Sequence, residues 1–205
     1  MEEPVMFKKT SFFFIGLVIA CLGVGLIIKS GVGAGPWDAF FVGIVNKLGL
    51  TVGIWVMLIQ AFYLVFNSIL AKKRIQFESV ITVFLWGIII DFQMGVTLKN
   101  VQLDEAVWTM QWGAFLAGIV LTGIGIGIYL TSKFPTMPYD GTMLIISERF
   151  HITLNVSRTI LEGIGLAFAW IVGGPIGLGT VIIMLMIGPL IQICTRYSTL
   201  IYEKI

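Results

Sequence analysis

The strongest constraint in this sequence is how far it runs without a charge. No Asp, Glu, Lys or Arg interrupts residues 11–28, 52–71 or 109–131. A bilayer core of about 30 Å takes about 20 helical residues to cross, and each run approaches or exceeds that length. The same reading along the chain predicts spans over 11–29, 52–71, 77–97, 109–131, 153–173 and 177–199. Two shorter apolar pieces, from Trp37 to about Leu48 and from Tyr139 to about Phe150, fall short of spanning length. Only 12% of the residues are charged, where soluble domains average about a quarter, and mean hydropathy is +0.99. The expected fold is an all-α polytopic membrane protein, one membrane domain over 1–205. The polar stretches between spans are too short for a soluble domain.

Charge sets the expected orientation. Lys8, Lys9, Lys72, Lys73, Arg74, Lys133, Arg149, Arg196 and Lys204 fall on one side of a six-span chain, against Lys29, Lys47 and Lys99 on the other. Basic residues collect in the cytoplasm, which places both termini there. Lys8 and Lys9 before an apolar run resemble a signal peptide, but the run is long and no small-residue cleavage site follows, so it reads as an uncleaved first span. The net charge of +2 comes from scattered residues and implies no nucleic-acid surface. Cys21 and Cys194 sit inside apolar runs and read as small buried hydrophobes.

The chain repeats itself. Slid so that Pro36 and Asp38 fall on Pro138 and Asp140, it also pairs Gly16, Val18, Gly23 and Gly25 with Gly118, Val120, Gly125 and Gly127. Ser30 and Thr51 fall on Ser132 and Thr153, and Leu64 and Phe66 on Leu166 and Phe168. After a one-residue slip, Val80, Ile81 and Gly87 meet Val181, Ile182 and Gly188. Aliphatic matches are cheap in such a chain; the Pro-aromatic-Asp motif and the glycines carry the repeat. Repeat one covers about 9–97 and repeat two about 111–199. Each holds three spans, an odd number, so the second is expected to enter the membrane from the opposite face, as in inverted-repeat transporters.

The short pieces then acquire a geometric reading. Gly31 to Gly35 can extend about 16 Å, and a helix from Pro36 to Leu48 is about 18 Å long, near half the hydrocarbon thickness. Pro36 and Pro138 suit the first helical turn, and Gly33 and Gly35 let an extended leg pack closely. Each piece is either a half-helix re-entering from one face, bringing Asp38 and Asp140 toward the middle, or an interfacial helix. In the interfacial case Trp37 and Tyr139 lie in the headgroup belt.

Ionisable residues deep in a span cost about 2.5–3.5 kcal/mol each and ask for a reason. Asp91 lies in the third span with Gln192 as its repeat partner; Glu162 lies in the fifth with Gln60 as its partner. Arg158 is one turn before Glu162 and pairs with it on one face, or else snorkels to the interface. Asp91 is either part of a polar cavity or a hydrogen-bonded structural acid. The only histidine, His151, falls in a turn. The sequence contains no P-loop, HExxH, CxxC or nucleophile–base constellation, which argues against an enzyme, and no cofactor is expected.

The segments GVGAGPWDAFFVGIVNKLGLTVG and FPTMPYDGTMLIISERFHITLNVSR, together with WGIIIDF and IGLGTVIIMLMIGPLIQ, resemble the YczE/YyaS/YitT family of bacterial integral membrane proteins over nearly the whole chain. The resemblance implies a multi-pass protein of the bacterial plasma membrane and no particular substrate. Members of the YitT branch often carry a soluble C-terminal domain, so a chain ending at Ile205 points to the YczE-like branch.

Together these features lead to a small-solute transporter or permease with its site at the repeat interface. Asp38, Asp140, Trp37, Tyr139, Gln60, Glu162, Asp91 and Arg158 are the candidate substrate-binding or ion-coupling residues. A half-helix N-terminus favours anions, but the acids tip the balance toward a cationic, zwitterionic or neutral polar solute. The alternative is a non-transporting scaffold or modulator of a partner protein. The stripes of glycine suit close helix packing within the chain or between subunits of a homo-oligomer.

Overall fold

The computed structural model describes residues 3–72, 74–103 and 105–204, without the side chains of 3–5, 154 and 155. Lys73, one of the charges used for orientation, lies outside the described residues. Among those residues all regular structure is helical: α1 (Glu3–Lys29), α2 (Pro36–Leu48), α3 (Val52–Ala71), α4 (Glu78–Phe92), α5 (Trp108–Thr131), α6 (Pro138–Phe150), α7 (Leu154–Val172) and α8 (Leu178–Lys204). α4 runs on through a π-helical turn at Gln93–Thr97. The two short pieces are α2 and α6, each opened by its proline. α1 starts earlier and α8 ends later than their apolar runs, because the Lys and Glu residues at their ends are good helix formers outside the apolar stretch.

Five of these helices are long and apolar enough to cross a membrane: α1, α3, α4 with its π turn, α5 and α8. α7 was expected as a sixth span over 153–173. It is helical there but is not among the five; it carries Arg158 and Glu162 and is the most amphipathic of the helices. Phe62, Ile69, Leu185 and Trp170 are among the many large apolar side chains facing outward. Such a surface is far beyond what a soluble monomer carries and is the lipid-facing side of a membrane protein.

The core is the antiparallel crossing of α1 and α5. Gly16 lies against the Gly125 carbonyl and Tyr129, and Gly23 against Thr122 and the Gly118 carbonyl. A Cβ at Gly125 would come within 2.7 Å of Ala20 Cα, and one at Gly118 within 2.8 Å of the Gly23 carbonyl. With no hydrophobic force between helices in lipid, such backbone approach supplies dispersion contact that larger residues would prevent. Leu17, Ala20, Cys21 and Phe115 close the seam with essentially no exposure. α8 packs on the far side of α5, where Gly127 meets Cys194 and Thr195; Gly25 meets Gln93, Met94 and Leu98 beyond α4.

Local devices recur at positions paired in the sequence. Thr51 and Thr153 cap α3 and α7, accepting from Ile54 and Val156 N–H. Ser30 and Ser132 donate to the carbonyls of Ile27 and Tyr129 and accept from Val32 and Phe134 N–H. Lys47 in the last turn of α2 donates to Ile171 O at the end of α7, and Arg149 in the last turn of α6 donates to Leu70 O at the end of α3. Bases at these C-termini satisfy carbonyls and complement the helix dipole. α2 packs along α7 and α6 along α3, each short helix lying on a long helix of the other half.

Overpacking a tight contact costs about 1–3 kcal/mol. Gly125→Val is expected to lower the thermal midpoint of the detergent-purified protein by several degrees. Gly113→Ala, whose methyl would meet nothing within 4 Å, is expected to leave it unchanged. Equal midpoints would show that the α1–α5 seam does not carry the fold.

Candidate functional site

The two extended legs reach the interior because their backbone finds partners there. Ala34 N–H donates to Pro175 O (3.0 Å) and Gly179 N–H to Val32 O (3.1 Å). Between them Gly33 has φ +127, and a Cβ on it would stand 2.8 Å from Gly177 N, so both conformation and space require glycine. In the second leg, Thr82 on α4 donates to Pro135 O at 2.6 Å. Both legs end in a proline at the first turn of a short helix, followed by Trp37-Asp38 or Tyr139-Asp140.

These two first turns meet. The rings of Trp37 and Tyr139 are 6.1 Å apart, and each stands edge-on to Tyr63 of α3, at 5.6 and 5.7 Å. Phe40 and Phe168 close the cluster at 6.0 and 6.4 Å from Trp37. Trp37 Nε1 donates to Leu161 O on α7 at 3.2 Å, and Gly165 gives the indole room. Edge-to-face aromatic packing of this kind adds about 0.5–1.5 kcal/mol per pair beyond buried area.

Polar groups surround the rings. Gln60 Oε1 accepts from Tyr139 N–H at 3.0 Å, taking one of the free donors at the start of α6. Two turns on, Asn67 donates to Pro138 O and accepts from Thr142, both at 2.7 Å. Arg158 Nε lies 3.8 Å from Glu162 Oε1. The Tyr139 hydroxyl is buried and faces Glu162 without reaching hydrogen-bond geometry. Asp38 turns back over Gly35, its Oδ2 2.9 Å from where a Cβ would stand, and complements the α2 N-terminus. Asp140 lies beside the Tyr129 hydroxyl of α5. Glu162 is within electrostatic reach of both Asp38 and Asp140, so it links the two motifs.

Of the eight candidate residues, Trp37, Asp38, Gln60, Tyr139, Asp140, Arg158 and Glu162 are thus gathered where α2, α3, α6 and α7 meet. Asp91 is placed differently. Its Oδ1 accepts from Gly53 N–H at 2.7 Å and its Oδ2 from the Thr51 hydroxyl, so it caps α3. That turn is nine residues before Gln60, about 13 Å along the helix. Asn67 was not singled out from the sequence, since a lone amide in an apolar run has no spacing pattern to announce it. Two cavities, about 290 Å³ beside Lys29 and Glu105 and about 440 Å³ among Phe12, Ile124 and Tyr197, lie away from the cluster. At the cluster itself the aromatic rings fill the centre.

A family model described as a family of unknown function, DUF6198, matches residues 7–196. The chain is 38% identical over 185 residues to "Uncharacterized protein YyaS" of Bacillus subtilis (strain 168), covering 90% of this chain and 91% of that protein. It is 31% identical over 193 residues to "Uncharacterized membrane protein YczE" of the same organism, covering 94% and 87%. An "Uncharacterized protein" of Haemophilus influenzae is 32% identical over 202 residues, covering 97% and 90%. No solved structure matches the chain.

Removing Asn67 would leave the Pro138 carbonyl and the Thr142 hydroxyl without their amide partner, a loss of about 1–3 kcal/mol. Asn67→Ala is expected to lower the thermal midpoint, and a double-mutant cycle with Thr142→Val to show coupling of about 1 kcal/mol. Additive losses would mean that the amide does not hold α6 through Thr142.

Proposed function

The chain belongs to the DUF6198 family, and from that premise we propose that it is a small-solute transporter of the bacterial plasma membrane whose site is the cluster between α2, α3, α6 and α7. In this reading α7 is a sixth span, the two halves are inverted repeats, both termini are cytoplasmic, and α2 and α6 are re-entrant half-helices entering from opposite faces.

One observation carries the reading: Trp37 and Tyr139, at matching places in the two halves, are 6.1 Å apart. Interfacial helices in opposite headgroup layers would be separated by the hydrocarbon core, about 30 Å. The α1–α5 seam supports it further. Gly16 faces Gly125 and Gly23 faces Gly118, while the sequence pairs Gly16 with Gly118 and Gly23 with Gly125. A crossed exchange of this kind is what a two-fold axis between halves produces. Irregular backbone at membrane depth is tolerated only inside the protein or along a cavity, and half-helix termini meeting at the midplane are the usual place for a transporter's site. The closed aromatic centre fits one stage of an alternating cycle, with Trp37, Tyr63 and Tyr139 parting to admit the solute.

Side-specific labelling tests this. With Cys21 and Cys194 replaced by alanine, Asp38→Cys and Asp140→Cys are each treated with a membrane-impermeant thiol reagent from either face. Slow reaction at both, or reaction of either from both faces, is the expected result. Bulk-water rates from one face only, opposite for the two positions, would place both motifs at the surface and remove the transport reading.

A further inference from the structure

The two halves differ along α3 and α7, and the difference bears on what the site takes. On α3, Gln60 is engaged with the half-helix α6 through Tyr139 N–H, and Asn67 holds the next turn. On α7 the matching residues are Glu162 and Ala169. Ala169 is fully buried and offers no side-chain hydrogen bond, and Glu162 faces Arg158. The packing outside differs in the same sense. α3 lies tight on α4, where Gly53 and Gly87 press on each other's carbonyls. Among the described residues α7 and α8 touch far less closely than α3 and α4 do. There Gly188, the match of Gly87, looks onto the Arg158 guanidinium, whose Nη1 would be 3.3 Å from a Cβ on it.

Arg158 therefore bridges two environments. Its Nε reaches inward to Glu162 at a long 3.8 Å, and its far end lies over Gly188 of α8. Glu162 is the inner member, 14% exposed, and Arg158 the outer, 30% exposed. The pair is single-pronged rather than the two-pronged form that makes arginine–carboxylate contacts strong. Beside Glu162 lie the buried Tyr139 hydroxyl and the ring cluster of Trp37, Tyr63 and Tyr139. Asp38 and Asp140 bring the carboxyls to three against one guanidinium. Aromatic faces and a carboxylate together recognise an alkylated ammonium or guanidinium group.

We propose that Arg158 is a tethered counter-ion and that the solute is an organic cation, which takes its place on Glu162 while the guanidinium moves off the carboxylate toward α8. This rests on the transport reading of the same site. Arg158 keeps Glu162 paired when the site is empty, because a lone buried carboxylate is costly. It thereby competes with the solute and sets its affinity. Gln60, already bonded to α6 and uncharged, has no such role.

The test is calorimetric titration of the full chain in lipid nanodiscs with benzyltrimethylammonium, against its uncharged analogue neopentylbenzene. Wild type is expected to bind the cation saturably and not the neutral compound. Arg158→Gln is expected to bind it at least about tenfold more tightly, with the competitor removed. Glu162→Gln is expected to abolish binding. The double variant Arg158→Gln/Glu162→Gln leaves no unpaired charge, so it guards against loss of fold, and it too should not bind. Equal affinity in wild type and Arg158→Gln, binding that survives Glu162→Gln, preference for the neutral compound, or no binding to any variant would each overturn the proposal. If thiol labelling finds Asp38 and Asp140 in a shared interior while the titrations fail in one of these ways, the site stands and the cation assignment falls. Labelling that places both motifs at the surface removes both.

Discussion

Everything in this molecule turns on the cost of an unpaired peptide group away from water. Two stretches, 30–35 and 132–137, leave helical geometry while surrounded by helices. Each N–H or C=O they release needs a partner. Pro175, Gly179 and Thr82 provide those partners for Ala34, Val32 and Pro135, and Ser30 and Ser132 fold their hydroxyls onto the chain at each departure. Because the legs are satisfied, the short helices can begin in the interior. Because they begin there, their aromatic residues meet and their first-turn acids come within reach of Glu162.

The same accounting explains the glycines, which do two separate jobs. At Gly33 the backbone conformation itself requires one. Along α1 and α5 the helices are regular, and glycine serves only to let carbonyls and Cα atoms approach. That seam places the ends of α1 and α5, and hence the start of each leg, at a defined separation. It makes the position of the polar cluster depend on packing between regular helices, with Tyr129 of the seam lying beside Asp140.

Departures from likeness between the halves concentrate on α7. Where α3 carries Gln60, Asn67 and a close fit to α4, α7 carries Glu162, Ala169 and a guanidinium standing off Gly188. A chain built only to pack would gain from repeating the tighter arrangement. The half with the looser packing and fewer of these hydrogen bonds is the one holding the ion pair.

The run lengths and the prolines acted locally, so they were legible without a structure. α2 and α6 begin at Pro36 and Pro138, and α3 spans Val52–Ala71 as its apolar run does. The correspondence of the two motifs in sequence was legible too, because an acid behind a proline and an aromatic is rare in apolar sequence and recurred. Whether they meet in space stays open in sequence between a re-entrant and an interfacial placement. What a side chain touches across the bundle was not legible. Asp91 and Glu162 look alike in sequence, each an acid inside an apolar run. Tertiary packing sets Asp91 against the Gly53 N–H and the Thr51 hydroxyl at the start of α3, and leaves Glu162 facing Arg158. Asn67 acquires its role only when α6 lies beside α3. Local chemistry acts over a turn of helix and is written in consecutive residues, whereas the partners of a buried polar group depend on which helix faces it.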